Sequence, residues 1–130
     1  MRTEQQRAGD AAEDLVADRL LAAGWRILAR RLRVGRDELD LVGIDPGPPA
    51  CLVVIEVRWR RERAFGLPEE SFDRRKQGRL RRACGGLLAR GLPDGTRTSG
   101  LPVRVDLVVV EPARAGGGPR IRHHRHALGA

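Results

Sequence analysis

The sequence predicts an α/β domain, and three observations carry that expectation. A helical apolar period opens the chain, three strand-like apolar runs follow at 25–34, 38–44 and 51–59, and a basic helical segment separates these from a further strand at 103–111. Helix and strand patterns that alternate in this way point to one sheet with helices packed on it.

Each element has a local reason. From about Glu4 to Ala23, Ala8, Ala11, Ala12, Leu15, Ala22 and Ala23 recur at helical spacing, and Gly24 stands where a C-cap belongs. WRILARRLRV alternates polar and apolar residues, as a half-buried strand does. ELDLVGI and CLVVIEVRW read as two more strands joined by the turn DPGPP. Ser71 is the expected N-cap of a basic helix that runs to about Arg90, with Asp73 in its first turn, although Gly78, Gly85 and Gly86 weaken its middle. After a Gly/Pro-rich loop at 91–102, VRVDLVVVE reads as a strand, ARAGGGP as a loop and IRHHRHAL as a weak terminal strand. The chain of 130 residues is the size of one domain, able to bury roughly 68% of its unfolded surface. Residues 1–112 are expected to form it, with 113–130 a loop and tail of the same unit.

No apolar run approaches the ~18 residues that cross a bilayer, and MRTEQQRAGD lacks the apolar segment of a secretory signal, so a cytoplasmic protein without membrane association is expected. Cys51 and Cys84 sit singly in apolar segments and read as buried thiols. Net charge is +8, which favours a polyanionic partner. The excess is local, since residues 56–90 hold eleven basic and five acidic side chains whereas residues 1–24 hold three and five. With two Trp, two Phe and no Tyr, stacking platforms for single-stranded bases are scarce, and backbone phosphates are the better-matched partner. His123, His124 and His126 cluster in the tail, but adjacent histidines on a strand face opposite ways, which disfavours a shared metal.

Glu56 is the anomaly in an otherwise apolar strand. If the hairpin loop centres on Pro48, positions summing to 96 lie opposite one another, and Asp40 faces Glu56. Two ionised carboxylates so placed repel by roughly 3 kcal/mol at an effective dielectric near 20, so a cation or a proton must intervene. Arg58 shares the sheet face of Glu56 and could neutralise one acid; a hard divalent cation is the alternative. Asp106, in turn, is expected to pair with Arg104, and Trp59 to pack in the core.

At these residues the sequence resembles a known family. GDAAE at 9–13, GWRILARRLR at 24–33, DELDLV at 37–42, LVVIEVRWRR at 52–61, FG at 65–66, Lys76 and RVDLVVV at 104–110 are similar, in that order, to the YraN family of small uncharacterised bacterial proteins. The resemblance implies a restriction-endonuclease-like α/β fold, a central mixed β-sheet flanked by helices, as in Holliday-junction resolvases and the PD-(D/E)xK nucleases. It implies that Glu13, Asp40 and Glu56 hold one or two Mg²⁺ (or Mn²⁺) ions. Arg58 falls where that superfamily carries lysine, an atypical ExR in place of ExK, and guanidinium is always protonated and less compact than an ammonium. Lys76 is the single lysine among 25 basic residues and is the candidate to supply the missing amine from the helix. Arg60, Arg61, Arg63, Arg74, Arg75, Arg79 and Arg82 are then expected to contact the backbone of double-stranded or branched DNA. The implied activity is Mg²⁺-dependent, structure-selective DNA cleavage by a monomer or homodimer. A catalytically inactive DNA-binding or adaptor protein of the same fold is the alternative, and docking on anionic membranes or ribosomal RNA through the 74–90 segment a third.

Overall fold

A computed structural model describes residues 1–59, 72–98, 100–112 and 116–128. Its elements are α1 (Glu4–Ala22), β1 (Arg26–Val34), β2 (Asp37–Asp45), β3 (Cys51–Trp59), α2 (Arg74–Arg90), β4 (Val103–Glu111) and β5 (Arg120–His124). The five strands form one sheet in chain order, antiparallel except that β3 and β4 run parallel. A parallel neighbour requires a crossover, and α2 lies within it. The result is a mixed sheet flanked by two helices, consistent with the restriction-endonuclease-like architecture.

The helices cover opposite faces. Ala12, Val16, Ala17 and Leu20 of α1 pack with Leu41, Val53, Ile55, Val108 and Val110, while Leu80, Ala83, Cys84 and Leu87 of α2 pack with Leu39, Val42, Leu52, Val54 and Val109. Residues 104–111 of β4 are therefore buried without alternation, as expected for a strand covered on both sides. Trp59 packs against the α1-side cluster, and both cysteines are buried and free. Among the described residues no helix is long and apolar enough to cross a membrane.

Both helix starts are capped by side chains. Thr3 and Gln6 form a reciprocal capping box at α1, and Gly24, with φ 92, follows its C-cap Ala23. At α2 the cap is Asp73, whose Oδ1 accepts from the Lys76 N–H at 3.1 Å. This corrects the expected N-cap, Ser71, which lies outside the described residues; the helix starts two residues later, on a side chain of equal capping strength. Asp73→Ala is expected to lower stability by ~1 kcal/mol in urea unfolding. The glycines do not break the helix. Gly86 instead permits its approach to β1, since a Cβ there would lie 2.7 Å from Val34 Cγ1.

Candidate functional site

The β2–β3 ladder runs from Asp45↔Cys51 to Leu41↔Ile55 in the register expected from a loop centred on Pro48. The next residues along are Asp40 and Glu56, and their carboxyls hydrogen-bond to each other. Asp40 Oδ2 also accepts from the Val57 N–H at 2.9 Å, so a side chain takes a backbone donor where the ladder stops. Glu56 is only 16% exposed. Burial, and then the charge of Asp40, push its carboxyl up to about 8, against the opposing pull of Arg58 and Lys76. Asp40 is raised as well, first by burial, with the Val57 N–H and Glu56 working the other way. Both carboxyls are thus shifted toward retaining a proton.

Glu13 approaches from α1. Its side chain is 12% exposed, its Oε2 is buried without a hydrogen-bond partner, and its carboxyl is raised to about 7, first by burial and then by Asp40. Arg31 is the group that keeps it in place: Arg31 Nε lies 3.2 Å from Glu13 Oε2 and 3.4 Å from Asp10 Oδ1. Arg31 adopts φ 50, a left-handed conformation that a non-glycine residue takes at a cost of ~1 kcal/mol or more, between the pairs Arg30↔Leu41 and Leu32↔Leu39 and hence across from Asp40.

On the α2 side a cleft of about 330 Å³ is lined by Glu56, Arg58, Lys76 and Arg79, together with Arg36 and Asp37. Arg58 Nη2 is 3.4 Å from Glu56 Oε1, and Arg58 Nε is buried with no hydrogen-bond partner. Lys76 reaches the cleft because it precedes Leu80, Ala83 and Leu87 by four, seven and eleven residues, placing it on the buried stripe of α2. Arg74, Arg75, Arg79 and Arg82 line a second depression of about 630 Å³ together with Arg36 and Asp37. Arg60, Arg61 and Arg63 lie outside the described residues.

The expected pairing of Asp106 with Arg104 is present, inside a larger buried network. Arg104 donates to Asp106 through Nε at 2.8 Å and Nη2 at 2.9 Å, and Nη2 also reaches Asp45 Oδ2 at 2.9 Å. His123 Nε2 meets Asp106 Oδ2 at 2.8 Å, and the Arg104 guanidinium lies 5.6 Å from the centre of the Trp25 ring. These residues bind one another on the α1 side of the sheet, away from the cleft.

The sequence reading missed Arg31, Arg36 and Asp37. Arg36 and Asp37 stand immediately before ELDL, so their nearness to the strand carrying Asp40 was available as a signal. Arg31 offered none, because its contacts depend on a backbone conformation that its residue type disfavours.

The donor set can be tested against a divalent ion. Among the described residues no group of three or more His, Cys, Asp or Glu side chains is arranged to hold a metal. An oxygen pair from Asp40 and Glu56 nevertheless matches Mg²⁺, which keeps several waters and takes one or two protein carboxylates. Glu13 Oε2, which makes no hydrogen bond, could accept from such a water.

The sequence model of "Uncharacterised protein family UPF0102" matches residues 12–110. A UPF0102 protein of Symbiobacterium thermophilum is 40% identical over 111 residues, covering 85% of this chain and 87% of that protein. One from Desulforamulus reducens is 32% identical over 128 residues, covering 98% of this chain and all of its own length. Motif order, fold and these matches agree: the chain belongs to the uncharacterised protein family UPF0102, the YraN family.

Proposed function

We propose that this chain is a Mg²⁺-dependent, structure-selective endonuclease that hydrolyses phosphodiesters in branched or junction DNA. The observation that carries the reading is the Asp40–Glu56 pair, two half-buried acids placed side by side where the β2–β3 ladder ends, with Glu56 lining a cleft together with Arg58, Lys76 and Arg79. Such a pair binds a divalent ion in its ionised form. Asp40 and Glu56 would hold Mg²⁺ or Mn²⁺, with Glu13 acting through water; the ion supplies charge stabilisation at the phosphoryl group and an acidified water. Lys76 and Arg58 stabilise the negative charge that grows on the phosphoryl oxygens. Arg74, Arg75, Arg79 and Arg82 engage neighbouring phosphates and set position without reading bases. Selectivity for branched DNA then arises from shape.

The test is nicking of a synthetic four-way DNA junction with Mg²⁺, combined with calorimetric titration of Mn²⁺. Asp40→Ala and Glu56→Ala are expected to lower cleavage by about 100-fold or more, since even partners of metal ligands are worth 10–100-fold. If both variants bind Mn²⁺ and cut like the wild type, the reading fails. One observation favours a second reading, a catalytically silent DNA-binding protein: the Arg58 guanidinium, 3.4 Å from Glu56 Oε1, already balances the acid charge. Salt-dependent junction binding with neither Mn²⁺ binding nor nicking would select it.

A further inference from the structure

The arginine depression beside the cleft contains one residue of the wrong sign. Arg36, Arg74, Arg75, Arg79 and Arg82 place five guanidiniums around a single space, with Asp37 as the one acid lining it. Guanidiniums gathered in this way repel one another unless an anion lies among them. Asp37 supplies one internally: Arg82 Nε and Nη2 each donate to a different carboxylate oxygen, both at 3.0 Å. That two-pronged geometry is the one in which guanidinium grips two oxygens of a phosphate. The Asp37 side chain is 15% exposed while that of Arg82 is 52% exposed, so the guanidinium is the more open to solvent of the two. Gly78 also lines the depression and has nothing within 4 Å of where a Cβ would be, so the space stays open beside the helix backbone at that position.

The two depressions are contiguous, because Arg36, Asp37 and Arg79 line both. We infer that the arginine depression is a phosphate subsite for the nucleic-acid strand that enters the carboxylate cleft, and that Asp37 is its internal stand-in anion. In the free protein Asp37 holds the Arg82 fork; a backbone phosphate entering the depression takes that fork over. Asp37 thereby lowers the affinity for nucleic acid, and Arg36, on the wall between the two spaces, raises it. This deepens the nucleic-acid reading above and rests on it for the identity of the polyanion, but needs neither metal nor cleavage.

The experiment measures fluorescence anisotropy of labelled four-way-junction DNA in EDTA across a salt series. Asp37→Asn is expected to bind about 5-fold more tightly than the wild type at low salt. Arg36→Gln should bind more weakly and make the log–log salt slope shallower by about 0.9, the share of one phosphate contact. Arg19→Gln, on α1 and outside both depressions, is the control for net charge and should change little. Weaker or unchanged binding by a folded Asp37→Asn protein overturns the stand-in role. An Arg36→Gln effect no larger than that of Arg19→Gln overturns the subsite, and this arm leaves the Asp37–Arg82 pair intact should Asp37→Asn fail to fold. Equal retention of wild type and Arg36→Gln on DNA, with only anionic-lipid vesicles distinguishing them, also overturns it. Loss of nicking in the cleavage assay leaves these binding outcomes untouched, so the failure of either idea can be recognised separately.

Discussion

At pH 8.5 and without divalent ions, Glu56→Gln is expected to be more stable than the wild type by on the order of 3 kcal/mol, at ~1.4 kcal/mol per unit of pKa shift with a discount for coupling to Asp40. The carboxyl of Glu56 is raised from an ordinary 4.5 to about 8, first by burial and then by Asp40. A group raised in the folded state binds more protons folded than unfolded between those values, so stability falls as pH rises through that window. Its contribution is fully present below about pH 4.5 and lost by about pH 8. Glutamine does not titrate, and its amide can donate to Asp40 as the protonated acid does. The advantage of the variant should therefore shrink steadily as pH is lowered and close near pH 4. Glu13, raised to about 7, adds a slope of the same sign in both proteins and cancels in the difference. Mg²⁺ added at pH 8.5 should stabilise the wild type and leave Glu56→Gln unmoved. Urea denaturation at four pH values measures all of this; a difference that does not grow from pH 4 to pH 8.5 would rule out the raised Glu56 carboxyl.

That acid pair was legible because its geometry is local. The turn DPGPP separates two apolar strands of similar length, and a loop centre at Pro48 is enough to place Asp40 by Glu56. Lys76 was legible by type alone, as one lysine among arginines, and its spacing to Leu80, Ala83 and Leu87 explains why it reaches the cleft. Glu13 was legible only through the family resemblance; its ion pair with Arg31, whose positive φ has no sequence signal, was not. Interactions bridging distant segments were invisible. The Asp37–Arg82 pair spans 45 positions and Asp45–Arg104 spans 59, and both arise only when α2 and β4 fold back against the hairpin. The histidine tail shows the same limit. Its alternation disfavoured a shared metal site, yet nothing in it disclosed that His123 would reach an aspartate 17 residues earlier.

The largest expected loss of stability lies in that network rather than in the cleft. Asp106→Ala should cost ~3–5 kcal/mol, the range for removing one partner of a buried ion pair, out of a total of about 5–15 kcal/mol for a domain. Asp106 has no solvent exposure and accepts from both arms of Arg104, from His123 and, at 3.2 Å, from the His126 N–H. Its loss leaves the Arg104 guanidinium buried with Asp45 as its remaining acceptor and removes the bond to the His126 N–H, leaving the Ala127 N–H to Val105 carbonyl bond to tie the segment after β5 to β4. His123→Ala removes one of these bonds and should cost less, about 1–3 kcal/mol. The pH signature is opposite to that of Glu56. Burial alone would raise the Asp106 carboxyl, but the bonds from His123 and Arg104 outweigh it and hold the group below its ordinary 3.8. Its contribution is present above that value and lost as pH falls beneath it, so the wild type should lose its advantage over Asp106→Ala only in strong acid. Urea midpoints at pH 7 and pH 3 measure both effects. A midpoint at pH 7 within error of the wild type would mean that β4 and β5 are held together by the ladder alone, and that the buried charges are passengers in the core.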